Sequence, residues 1–174
     1  MHSFTELIDR CTVFTIDSLY KVNETVIKES QTSGATSLVK TLQMIQLQKT
    51  IFSVGMFSIF ESILQESLSC KSGFDEAKKI LIEEGEIEVK TRFNNLILAI
   101  NVLKHGKGPS YNALILNAKS LPFKIKLPDE QSFSEGDVSE VSTLIQVDDA
   151  FLELCGRTIR EVTVVIQRVR SEFF

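Results

Sequence analysis

Tryptophan is absent from this chain, and histidine (two) and cysteine (three) are scarce. Cys11, Cys70 and Cys155 are widely spaced and form no C-x-x-C pair. That spacing argues against a disulfide framework or a zinc site and points to reduced thiols in a cytoplasmic protein. His2 stands at the very start, so any acid–base step that needs an imidazole falls to His105. Two histidines also supply too few ligands for a His-rich metal centre, and neither a metal nor a cofactor is expected. Lys and Arg number 19 against 23 Asp and Glu, so no overall positive field draws the chain to nucleic acid or to an anionic membrane. A long apolar run is missing too. The richest stretch, residues 51–64, is short for a bilayer span and is broken by Ser and Glu. The first ten residues carry acids and no signal-peptide core. There is no G-x-G-x-x-G, H-E-x-x-H or G-x-S-x-G.

What remains is an ordinary globular composition, 43% hydrophobic and 24% charged, enough for one domain over residues 1–174 with its own core. Apolar periodicity predicts a mostly α fold, a helical bundle. Helices are expected over about 4–29, 37–69, 75–83, 86–104, 109–118 and 150–170, with a polar break around Gly34. In the second helix Leu42, Ile45, Ile51, Phe52, Met56, Ile59, Phe60, Ile63 and Leu64 mark a wide apolar face, which nearly encircles the helix around Phe52–Leu64. Such a helix is either central in a bundle or buried at a dimer interface. Residues 121–147 differ in texture. Leu121–Pro128 alternates apolar and basic between two prolines, and Val141–Val147 alternates again, which predicts a small β-hairpin or a pair of extended arms before the last helix. Asp148 or Asp149 is the expected cap of that helix.

The candidate site lies at the end of the 86–104 helix. Phe93, Leu96, Ile97, Ile100 and Leu103 recur at helical spacing, and Asn94, Asn101 and His105 share a narrow face beside that stripe. Two amides and an imidazole therefore line up where Lys104-His-Gly-Lys-Gly-Pro109 stops the helix. His105 and Asn101 are the candidate catalytic residues. Lys104, Lys107, Asn94 and Glu61 are candidate binding residues, Glu61 because it is an acid set inside the apolar run Phe57–Leu64. Lys119, Lys124 and Lys126 could add a local basic patch. The competing reading makes His105 a helix-end residue that interacts with the last carbonyls.

The order of a long apolar helix holding Phe57-Ser-Ile-Phe-Glu-Ser-Ile-Leu64, then a helix ending Asn101-Val-Leu-Lys-His-Gly106, resembles the HEPN superfamily of prokaryotic helical bundles. Many of its members are metal-independent ribonucleases of toxin–antitoxin or phage-defence systems. They carry an Arg, a following polar residue and a His, and two copies of the motif meet across a homodimer. Asn101 and His105 match the polar position and the His, whereas the Arg position falls on Ile100. The resemblance covers about residues 40–118. It implies an RNA-directed role with His105 as acid or base, although Ile100 cannot stabilise charge on a phosphate. The alternative is a non-catalytic dimerisation or partner-binding scaffold. Expected partners are a second copy, RNA or a cognate protein, and no membrane.

Overall fold

In the computed structural model, residues 4–30 and 35–170 are described. They form six α-helices: α1 (Phe4–Ser30), α2 (Thr36–Ser67), α3 (Gly73–Glu83), α4 (Ile87–His105), α5 (Pro109–Ile115) and α6 (Asp149–Val169), with a 3-10 turn at Ala118–Ser120. The chain is thus mostly helical, as its periodicity predicts. The expected break around Gly34 lies outside the described residues.

Local chemistry sets most of the boundaries. Pro109 opens α5, where its fixed φ suits a first helical residue and its missing N–H costs nothing. Asp148 caps α6, its carboxylate accepting the Phe151 N–H at 2.9 Å. α4 ends at Gly106, whose φ of +72° is a conformation that side chains resist and glycine tolerates.

α6 is the most regular element. Phe151, Leu152, Leu154, Cys155, Ile159, Val162, Val165 and Ile166, all expected to face inward, are buried. α2 packs on α1, α3, α4 and α6, α1 packs on α2 and α6, and α4 lies against α2, α3, α5 and α6. α1 and α4 therefore flank the α2–α6 pair on different sides. α1 runs antiparallel to α2, with Phe4 stacked on Phe60 at 6.1 Å and the Thr12 hydroxyl 3.8 Å from Met56 Sδ. At the centre Phe93 meets Phe57, Phe60 and Phe74.

The β-hairpin expected before the last helix does not form. Among the described residues the two extended segments share one antiparallel bridge, Ile125 with Ile145, closed by Lys126 N–H to Leu144 O at 2.8 Å and Gln146 N–H to Lys124 O at 3.1 Å. The physical reason is visible in the sequence. Pro122 and Pro128 lack the N–H groups a ladder needs, and burial of Phe123, Ile125, Ile145 and Val147 against the helices fixes the arms instead.

Two glycines in helices have opposite surroundings. A Cβ on Gly73 would sit 2.7 Å from both Glu61 O and Leu64 Cβ, so α3 meets α2 only because glycine is there. Gly55 has nothing within 4 Å of the same position. Gly73→Ala is expected to destabilise by about 1–3 kcal/mol through overpacking, and Gly55→Ala to stabilise by about 1 kcal/mol through helix propensity. Urea midpoints read both; equal shifts of one sign would contradict this packing.

Candidate functional site

The face of α4 opposite its core stripe carries the residues singled out above. Phe93, Leu96, Ala99, Ile100 and Val102 are buried, which turns Asn94, Asn101 and His105 outward by helical periodicity. Asn94 and Asn101 are half-buried and His105 is exposed, as are Lys104 and Lys107. Asn101 and His105 thus share one side of α4 near its end, with the exposed Lys104 about 100° round the helix from His105. Ile100, at the position where the resemblance calls for Arg, is 3% exposed and belongs to the core. A guanidinium could not occupy that place without an unpaired buried charge.

Other charged groups are committed elsewhere. Arg92 points from α4 toward α6 and pairs with Glu161. Glu86, just before α4, and Arg168 of α6 lie 3.3 Å apart, and these residues line a cleft of about 320 Å³ with Arg160. Arg160 in turn reaches Asp9 of α1 at 2.7 Å. Each arginine there has a carboxylate, so the cleft is an ion-pair seam joining α1, α4 and α6.

Glu61 is half-buried on α2. It follows Phe57 and Phe60, the residues that meet Phe93, and His105 lies roughly 18 Å farther along α4 from Phe93. The fold does not bring Glu61 to His105. Lys126 leaves the proposed basic patch as well. It is 7% exposed and bonded to Glu140, with its ammonium 4.7 Å from the centre of the Phe133 ring. Lys119 and Lys124 remain exposed, lining a shallow cleft of about 540 Å³ with Leu121, Phe123, Ile125 and Leu127. No imidazole or thiol lines that cleft.

The Lys126–Glu140 contact was not readable from spacing, since its two members belong to no shared periodic element. It pins the long connection between the arms. Glu140 also accepts the Phe133 N–H at 2.8 Å, and the Tyr111 hydroxyl donates to Lys126 O at 2.8 Å. Burial pushes the Glu140 carboxyl up, but hydrogen bonds from Lys126 and Phe133 and the lysine's charge outweigh it and hold the carboxyl below its ordinary value. Burial also pushes the Cys155 thiol up, which makes it an inert core group rather than a nucleophile. Among the described residues no cluster of His, Cys, Asp and Glu could hold a metal ion, and no helix is long and apolar enough to cross a membrane.

A different surface stands out by its exposure. Met44, Leu47 and Ile51 on α2 are 47%, 50% and 57% exposed, at the i, i+3, i+7 spacing of one helix face. Gly55, Ser58 and Ser62 continue that face. From Thr41 to Phe60 the only ionisable residue is Lys49, and its ammonium turns inward, 2.7 Å from Asp149 Oδ1. On α1, Leu7, Phe14 and Val22 are exposed along one side of the helix and Val13, Tyr20 and Ile27 along another. Comparison with protein-family models, with curated proteins and with solved structures finds no match to this chain.

Proposed function

We propose that this protein is a helical association module, acting by binding through the outer face of α2, rather than a catalyst. The observation that carries the reading is the solvent-facing stripe of α2. Solvent-facing helix surfaces normally carry charge, whereas this one presents Met44, Leu47 and Ile51 with no ionisable group among them. Apolar patches of that kind mark interaction surfaces. The end of α4 supports the same conclusion, because the position that would stabilise a phosphate is the buried Ile100.

The HEPN-like, RNA-directed reading stands second. It is favoured by the exposure of His105 beside Lys104 and Lys107. The imidazole would transfer a proton, Asn101 would hold phosphate or sugar, and the two lysines would supply positive charge. Incubation of the purified chain and of His105→Ala with single-stranded and hairpin RNA separates the two readings. The association reading expects no cleavage by either protein and less than about 0.5 kcal/mol between their stabilities, as for other surface substitutions. Cleavage by the wild type that His105→Ala abolishes would overturn it.

A further inference from the structure

The cleft lined by Lys119 and Lys124 borders a backbone edge without partners. The single bridge between the arms is closed through the N–H of Lys126 and the C=O of Lys124. Ile125 and Ile145 are therefore opposed without bonds of their own, and the N–H and C=O of Ile125 point to the other edge of the Leu121–Pro128 arm. Neither Phe123 nor Ile125 makes a backbone hydrogen bond among the described residues, although both are buried. Buried backbone groups are nearly always paired. The free edge ends at Leu127, whose N–H and C=O are both taken by Glu130, at 2.7 and 3.0 Å. Phe123 and Ile125 line the cleft and no residue of the Val141–Val147 arm does, so the cleft runs along that free edge.

Its chemistry is two-sided. Leu121, Phe123, Ile125 and Leu127 supply an apolar wall, and Lys119 and Lys124 stand exposed beside it. Neither ammonium has a carboxylate partner among the described residues. We propose that this cleft binds an extended peptide of alternating acidic and apolar residues, added as a strand to the free edge of the Leu121–Pro128 arm. Bonding to an open edge supplies affinity, and alternate side chains supply selectivity. Successive side chains of a strand face opposite ways. Apolar residues of the peptide then meet the wall, and the acids between them reach the two lysines. A nucleic acid fits less well, because two ammoniums with Glu130 beside them neutralise little phosphate charge. The site goes beyond the association reading: no α2 residue lines the cleft, and either can fail without the other.

Fluorescence anisotropy of the purified full chain tests the assignment, with a short labelled peptide alternating glutamate and valine as the probe. The wild type is expected to bind it saturably. Lys119→Glu with Lys124→Glu should bind at least about tenfold more weakly and should take the matching lysine–valine peptide instead. Both positions are exposed, so circular dichroism should show this variant folded. N-methylation removes backbone donors from the probe. A strand bonded along one edge uses only alternate N–H groups, so methylating one alternate set should abolish binding and methylating the other should not. Absence of saturation at millimolar probe overturns the assignment, as does an equal response to the two methylated probes. Decanoate bound as tightly as the peptide would give the cleft to a small amphiphilic anion, and single-stranded RNA that displaces the probe would give it to nucleic acid. Either result overturns the peptide.

Discussion

Replacing Phe93 with alanine is expected to remove about 3–5 kcal/mol of stability. Phe93 is fully buried, with ring centroids 5.5 Å from Phe74, 6.1 Å from Phe60 and 6.3 Å from Phe57. Those rings come from α2 and α3, so truncation opens a cavity where three helices meet. It also removes edge-to-face contacts worth about 0.5–1.5 kcal/mol each beyond area burial. A domain with roughly 5–15 kcal/mol to lose would be left marginal, and its melting temperature should fall by roughly 10 °C or more. Phe93→Leu, which keeps much of the volume, should cost about 1–2 kcal/mol. Urea titration of the three proteins measures this. A loss below about 1 kcal/mol for Phe93→Ala would show that the core is not centred there.

Glu140→Gln is the second large effect. The Lys126 and Glu140 side chains are 9% and 15% exposed, and removing one partner leaves the other charge with little water. Because some exposure persists, the expected cost is about 2–4 kcal/mol, overlapping the low end for fully buried pairs. Its sign with pH follows from the lowered carboxyl. A group whose folded pKa is depressed adds stability that is complete above the ordinary value of 4.5 and is lost as pH falls through the lower folded value. The wild type should therefore lose part of its stability below pH 4.5 through this group, and Glu140→Gln should lack that part. Urea midpoints at pH 7 and pH 3 decide it. A gap between the two proteins that is as wide at pH 3 as at pH 7 would contradict the role given to Glu140.

Much of the fold was legible because helical periodicity is a local property. The α6 stripe, a cap at Asp148 or Asp149 and the opening of α5 at Pro109 each follow from residues within a turn or two of one another. The arms were harder. Alternation in Leu121–Pro128 and Val141–Val147 reports a half-buried extended chain, but it does not distinguish a ladder from two segments pressed onto helices, and only one bridge forms. Lys126 illustrates the same limit: its place in an alternating basic segment suggested surface, while Glu140 and Phe133, brought in by tertiary packing, hold it inside. At the end of α4 the sequence placed Asn101 and His105 on one face, and it also placed Ile100 within the apolar stripe. It could not say that Glu61 would be remote from them. The exposure of Met44, Leu47 and Ile51 was hidden for a related reason. A wide apolar face does not show which side of the helix lacks a neighbour.

The central claim is that the outer face of α2 works by being covered. The most direct test is the hydrodynamic mass of the chain at native concentration in cell extract, wild type against Ile51→Glu. Association through this face predicts a wild type heavier than one chain and a folded Ile51→Glu shifted toward the mass of one. A wild type that migrates as a single chain, with Met44, Leu47 and Ile51 left in water, would contradict it.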